Sequence, residues 1–424
     1  MRPVLKAGLR RLWRPGGALQ VGVTPGRSLL LNGLSPAATA FVAALDGHRD
    51  INGLLAHAEE LGLSGAQATT LLDVLARAGF LDDAGYDPGP ILRALDISEL
   101  DRLAPDLSAL ALGYLVPGGA MRAMTRRRMA VVAVYGCGRV GASVAHMLAA
   151  AGIGCVVPID AGRARPADAA PAGFRNPRGL SHRDEREVPG PRRGRGARAA
   201  SKASASASSA TSADDRLDSD QQDTDQPTAG AGIETDLAAP PPRRQDLVRA
   251  LIRSSAPSTR TTLPANRQHP DLAVLAPIAD GYPALAATMQ DSGVPHLSVE
   301  VHETTGVLGP FVQPGRTSCL RCRDLYRTER DPGWPRAMVP FGGVDAVPAA
   351  EDRPCDILLA THLATLAVLH ILAWVEGDPP PTVNGTLEVV PPFGAQTRRE
   401  RPPHPDCGCL VHTEPAAPTP LVRR

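Results

Sequence analysis

Along residues 131–160 the apolar positions change period twice. Val131-Val-Ala-Val-Tyr135 is a short continuous apolar run, as expected of a strand buried on both faces. Ala142 to Ala151 then reads as an apolar helix, and Gly154-Cys-Val-Val-Pro-Ile-Asp160 is a second apolar run that closes on a carboxylate. Strand, helix and strand in this order predict a βαβ unit and a parallel sheet. The same alternation returns downstream, with a helix at Asp246 to Arg253, a strand at Asp271 to Ala276, a helix at Tyr282 to Ser292 and a strand from His296 to Val299. Between them the pattern collapses. Arg192 to Arg198 is Arg-rich, Ser201 to Ser209 alternates Ser with Ala, Asp214 to Asp225 is acidic, and Pro240-Pro-Pro242 follows. Such blocks bury little apolar area, so a disordered insertion at about 176–263 is expected to interrupt a doubly wound α/β domain, its far end overlapping the first resumed helix.

Residues 1–88 have a different rhythm. Ala18 to Val23 and Arg27 to Leu31 flank Pro25-Gly26 as a hairpin would. Ser35 as N-cap and Pro36 at the first position open a helix, and two more are predicted at Ile51 to Leu61 and Ser64 to Ala78. Strands, three helices and the closing Phe80-Leu-Asp-Asp83 predict a small winged-helix-like domain. A helical linker over 89–128 joins it to the sheet domain at 129–410, and 411–424 reads as a flexible tail.

Charge changes what this module is expected to bind. Lys plus Arg (45) almost balances Asp plus Glu (44), and the stretch from Ala66 to Arg77 offers one Arg and one Asp. That is too little cation to neutralise several phosphates, so nucleic acid is not the expected partner. An extended peptide added as a strand is the alternative. The N-terminus lacks the pattern of a secretory signal, which predicts a cytoplasmic location. Ile357 to Val375 is nineteen residues without a formal charge, yet it carries Thr361, His362, Thr365 and His370 and is flanked by acids. A buried helix, with no membrane contact, is the expected reading. The basic run Arg126-Arg-Arg128 is expected to do no more than solvate the start of the first sheet strand.

The chemistry sits at the glycines and the cysteines. Gly136 permits a tight turn, Gly138 lets backbone approach a phosphate, and Gly141 lets helix and strand pack closely. Asp160 stands about twenty residues beyond, where a ribose hydroxyl would lie. Of seven cysteines, Cys137 and Cys155 fall in the loop and a strand, whereas Cys319-Leu-Arg-Cys322 and Cys407-Gly-Cys409 form two tight pairs. Two dithiolate pairs supply the four soft ligands of a structural zinc site. His404, His412 and Cys355 are substitutes should one thiol fail.

Glycine loop, Asp160 and paired cysteines together resemble the ThiF/MoeB family of ubiquitin-activating-enzyme-like adenylyltransferases. The strongest stretch is Gly309-Pro-Phe-Val-Gln-Pro-Gly-Arg-Thr-Ser-Cys-Leu-Arg-Cys322. The resemblance implies ATP and Mg²⁺ on a Rossmann-like sheet, Gly136, Gly138 and Gly141 cradling phosphates, Asp160 holding the ribose, and a peptide or small-protein C-terminus activated as an acyl-adenylate. The first 88 residues similarly look like the leader-peptide recognition domain of ribosomal peptide pathways, which implies a precursor peptide and a modifying enzyme such as a cyclodehydratase as partners, with a homodimer left open. This sequence departs from the family where phosphate and metal charges are due. Pro166 to Arg175 replaces the family's Ser-Asn-Leu-x-Arg-Gln, leaving Arg175 as the substitute cation; the following lysine is Lys202 or absent; and Asp280 is the one acid in Ala276-Pro-Ile-Ala-Asp-Gly281. Without those charges the α-phosphate loses much of its electrostatic stabilisation. The favoured reading is therefore a protein that binds a precursor peptide and presents it to a partner enzyme. An active adenylyltransferase is the second reading, and an NAD(P)-dependent oxidoreductase, which the paired cysteines disfavour, the third.

Overall fold

Pro3–Leu5 (β1) pairs antiparallel with Leu81–Asp83 (β5), so the two ends of the N-terminal module meet in one ladder. The computed structural model describes residues 1–15, 17–175, 240–277, 282–333, 355–390 and 395–410. Inside the module Arg11–Arg14 (β2), Ala18–Val21 (β3) and Leu29–Leu31 (β4) form a three-stranded antiparallel sheet. The hairpin expected around Pro25-Gly26 is β3–β4, while β1, β2 and β5 are three or four residues long and too short for period reading.

Three capped helices complete the module. Pro36–Ala43 (α1) starts where Ser35 Oγ accepts from the Ala38 N–H at 3.1 Å. Ile51–Glu60 (α2) is capped by Asp50, which accepts from the Gly53 N–H at 2.8 Å. Gly65–Arg77 (α3) opens with a capping box between Ser64 and Gln67. Such caps satisfy backbone donors that the helix itself cannot, worth about 1 kcal/mol each. Leu5, Leu19, Val21, Phe41, Leu54, Leu75 and Phe80 then close one apolar cluster.

Gly89–Arg93 (α4), Ile97–Gly113 (α5) and Gly119–Met129 (α6) lead to the large sheet. The basic run at the end of α6 does not merely solvate a strand start. Arg127 is 6% exposed and donates from Nε to Glu376 Oε1 at 2.7 Å, Arg126 donates to the Glu376 carbonyl, and Arg128 donates to the Ser258 carbonyl at 2.9 Å. Glu376 also accepts from the Tyr114 hydroxyl at 2.8 Å, and the Tyr114 carbonyl accepts from buried Lys6 Nζ at 2.6 Å. One buried polar chain thus ties β1 to the far end of the molecule's longest described helix.

Seven strands form that sheet: Val131–Tyr135 (β6), Cys155–Ile159 (β7), Leu272–Leu275 (β8), His296–His302 (β9), Thr305–Val312 (β10), Gly385–Val390 (β11) and Ala395–Glu400 (β12), in the order β12-β11-β10-β9-β8-β6-β7. The four from β7 to β9 are parallel and the last three antiparallel. Beyond β7, Arg260 adds a parallel bridge to Cys155. Strand order reverses between β6 and β8, and ligands of open α/β sheets bind at that point, outside the carboxyl ends of the strands.

Arg139–Ala150 (α7), Arg244–Ser255 (α8) and, from later in the chain, Ile357–Glu376 (α11) bury Val144, Leu148, Val248, Ile252, Leu363 and Ile371 against Val132, Val134, Val156 and Leu297 on one sheet face. Between them in sequence, Tyr282–Asp291 (α9) and Leu320–Arg330 (α10) bring Ala286, Met289 and Leu320 against Ala273 and Leu275 on the other. A mixed α/β architecture with a largely parallel sheet is the result, as the alternation predicts. Truncating Leu363 or Ile252 to Ala would cost about 2–5 kcal/mol. The 20-residue α11 is long and apolar enough to cross a membrane by length and composition, but one of its faces lies in this core, with Leu358 and Leu369 exposed on the other. The expected insertion at about 176–263 is corrected at its far end: residues 240–263 are described, and α8 buries Val248 and Ile252 because its apolar residues recur at helical spacing.

Candidate functional site

At the carboxyl end of β6 the chain turns through Gly136, whose φ of 84° suits glycine. A Cβ on Gly141 would fall 1.7 Å from the Gly136 carbonyl oxygen, so the close crossing of α7 over the loop requires glycine there. Gly138 is the N-cap of α7, and a Cβ on it would meet only Asp168 Oδ1, at 3.6 Å. The loop leaves the N-terminus of α7, with its unpaired N–H groups and positive dipole end, facing the switch point.

Asp160 closes β7 beside this loop. Its Oδ2 accepts from the Cys137 N–H at 2.8 Å and its Oδ1 from the Gly162 N–H at 2.8 Å, while its own N–H donates to Gln245 Oε1 at 3.1 Å. Arg244, the first residue of α8, lies between two carboxylates: Nη1 is 3.8 Å from Asp160 Oδ2 and Nε is 2.8 Å from Asp168 Oδ2. All three side chains are nearly buried, at 8–12% exposure. Among the described residues, two acids and one cation leave this trio one negative charge, and Asp168 Oδ1 faces the loop. Arg139, at the first position of α7, is committed elsewhere, to the carbonyls of Ala167 at 3.0 Å and Cys355 at 2.7 Å.

The sequence reading therefore locates the glycines and Asp160 in one cradle and misses Asp168, Arg244 and Gln245. Asp168 lies inside the stretch that departs from the family pattern, and Arg244 and Gln245 lie inside the supposed insertion. Arg175 is exposed at the end of a described stretch. Asp280 and Lys202 lie outside the described residues. Cys137 is fully buried, and burial together with the neighbouring Asp160 charge pushes its thiol far up, so it is not a nucleophile.

A second centre lies where α10 begins. Cys319 is the N-cap of α10, Cys322 lies on its first turn, and Cys407 and Cys409 come from the loop after β12. The four Sγ atoms lie within 4.8 Å of one another, with Cys319–Cys322 at 3.8 Å, Cys319–Cys407 at 3.5 Å and Cys322–Cys409 at 3.3 Å. A tetrahedron with metal–sulfur arms of about 2.3 Å has edges of about 3.8 Å, so the thiols suit a tetrahedral metal. Hydrogen bonds from the Cys319 thiol and from the His404 N–H pull the Cys322 thiol down, whereas the hydrogen bond to Cys322 pushes Cys319 up and burial pushes Cys409 up, so Cys322 is the thiol poised as the thiolate a metal needs. His404 is no substitute ligand: Nε2 contacts Glu329 at 2.9 Å and Nδ1 accepts from the Asp406 N–H at 3.1 Å. Cys355 lies apart from the cluster, before α11, and His412 falls outside the described residues.

Fold and sites together define a Rossmann-like sheet with an appended N-terminal module and a four-cysteine cluster that can hold a metal. No family model matches the sequence, and no curated protein matches it. Solved structures do share the fold. E. coli MccB bound to AMPCPP and MccA aligns with a TM-score of 0.58 at 12% identity, over 97% of this chain and 100% of that one. The microcin C7 biosynthetic enzyme MccB in complex with N-formylated MccA gives 0.57 at 12%, over 97% and 100%. PaaA gives 0.57 at 14%, over 93% and 98%. The neighbours bear out the resemblance drawn from the sequence, and at these identities the likeness is one of fold.

Proposed function

We propose that the protein binds a precursor peptide through its N-terminal module and an adenine nucleotide at the glycine loop, and presents the peptide to a modifying enzyme such as a cyclodehydratase. The observation that carries this reading is the near-complete overlap with MccB. That protein has been solved with MccA and with ATP, and the overlap takes in the N-terminal module as well as the sheet. We read the module as winged-helix-like. Strand β2 is an edge strand, exposed at all four residues, with Leu12 43% and Trp13 58% exposed. An extended peptide added along such an edge gains backbone hydrogen bonds and apolar contacts. Zinc is the metal we assign to the four thiols, because an all-thiolate tetrahedral set is that of a structural zinc site.

Presentation is favoured over catalysis by the charge at the cradle. A phosphate seated at the α7 N-terminus would face the Asp168 carboxylate, and Arg244 is already shared between two acids. The second reading is active adenylation with Mg²⁺, favoured by MccB having been solved with both AMPCPP and MccA. Exchange of labelled pyrophosphate into ATP by the full chain, with and without precursor peptide, separates the two. Presentation predicts peptide binding with exchange at background. Robust peptide-dependent exchange abolished by Asp160→Ala establishes adenylation, and absence of both peptide and nucleotide binding overturns both readings.

A further inference from the structure

A cavity of about 400 Å³ opens at the amino ends of β6 and β7, the opposite edge of the sheet from the glycine loop. It is lined by Ile91 of α4 and Ala94 just after it, Arg128 and Met129 at the end of α6, and Gly154, Ser258 and Arg260. Its charge is unbalanced. Glu99, the acid that acts on Arg128, is consumed locally: Oε1 accepts from Arg102 Nη2 at 2.6 Å and from the Ser258 hydroxyl at 2.5 Å, and Oε2 from Arg102 Nε at 3.1 Å. Arg128 spends Nη2 on the Ser258 carbonyl, but its Nε and Nη1 are out of solvent and have no partner. Arg260 is exposed, and its guanidinium makes no hydrogen bond or ion pair among the described residues. Burial and the charges of Arg102 and Arg260 lower the proton affinity of Arg128, with Glu99 opposing them.

Arg128 and Arg260 bring two positive charges to the cavity, and the Glu99 carboxylate that Arg128 feels is already held by Arg102 and Ser258, so an anion improves the site. The opposite wall, Ile91, Ala94 and half-exposed Met129, is apolar. From this juxtaposition we infer that the cavity binds a small phosphate monoester, its dianion between Arg128 and Arg260 and its apolar group against Ile91 and Met129. Two cations match a dianion better than a carboxylate, and planar guanidinium forks match phosphate oxygens. The cavity bridges the linker helix α4 to the sheet, so its occupant would fasten those elements together without touching the nucleotide cradle.

Isothermal titration of the full-length protein with phenyl phosphate, at constant ionic strength, tests this. Phenyl phosphate should bind at least ten times more tightly than benzoate and more tightly than inorganic phosphate. Arg260→Ala, at an exposed position that leaves the fold intact by circular dichroism, should weaken it at least tenfold. Ile91→Ser should remove the advantage over inorganic phosphate and leave inorganic phosphate unchanged. Equal affinity in Arg260→Ala and the parent protein would place the anion elsewhere and overturn the assignment. So would benzoate binding as tightly as phenyl phosphate, or no measurable heat with any of the three.

Discussion

The cysteine cluster and the glycine cradle stand on the same sheet, but they are built by different rules. At the cluster four identical atoms converge, each from one of two short pairs, at a spacing that suits a tetrahedral metal. At the cradle the glycines shape the backbone, while the charges that decide its chemistry arrive from elsewhere: Asp168 from the turn after β7 and Arg244 from beyond residues 176–239. A site made by geometry is carried by a few residues at fixed spacing. A site made by electrostatics depends on which charges the fold later brings beside it.

The sharpest way to break the comparison is to remove one ligand of the cluster. Cys322→Ser should eliminate bound metal and lower stability by more than about 4 kcal/mol, because metal binding here is folding free energy. Cys355→Ser should change neither. Metal analysis and thermal denaturation of protein purified without chelator check both, and a Cys322→Ser protein with full metal content would show that the thiols are not the ligands.

At the cradle the corresponding removal is Arg244→Met. It leaves Asp160 and Asp168 facing each other without their shared cation, and loss of one partner from a buried ion pair costs about 3–5 kcal/mol. Denaturant titration at neutral pH checks it. A loss below about 1 kcal/mol would mean that the three charges are solvated and that the cradle is not preorganised.

The sheet and the helix α11 packed on it give their own pH signature. Burial pulls His296 and His370 down to about 4 from the usual 6.5. The fold therefore favours their neutral forms, and the unfolded chain binds more protons between the two values. Stability is fully present above about pH 6.5 and is lost as pH falls towards about 4, with a ceiling of about 3 kcal/mol per histidine. Melting curves across that window should flatten in a His296→Gln, His370→Gln double variant. An unchanged slope would show that these two imidazoles do not carry the acid sensitivity.

The contrast also explains what could be read from the chain. The runs at 131–135, 155–159 and 272–275, the glycine loop and the two cysteine pairs are local patterns, and each falls where its pattern puts it. The edge strand β12 carries no such pattern: Ala395–Glu400 is exposed at every residue, so no apolar alternation marks it. The Arg126-Arg-Arg128 run looked like a solvated flank because its partner Glu376 is 249 positions from Arg127. Asp168 and Arg244 were hidden for the same reason, since an ion pair between distant positions leaves no period in either segment.

Gly141→Ala and Gly138→Ala separate the fold of the cradle from its use. At Gly141 the added methyl would collide with backbone at 1.7 Å, so a destabilisation of about 1–3 kcal/mol or more is expected and nucleotide binding is lost with the packing. Gly138 has an ordinary extended conformation, φ −73° and ψ −161°, and open space at its Cβ apart from Asp168 Oδ1. Alanine fits there and restricts the unfolded chain, so stability should change by less than about 1 kcal/mol and rise as readily as fall. The methyl would nevertheless project towards the carboxylate beside the loop, where a phosphate needs close backbone approach. Equilibrium binding of ATP should therefore weaken at least tenfold in Gly138→Ala while its melting temperature stays put. If ATP binds Gly138→Ala as tightly as the parent protein, the nucleotide does not lie on this loop, and the glycines serve only the crossing of α7 over β6.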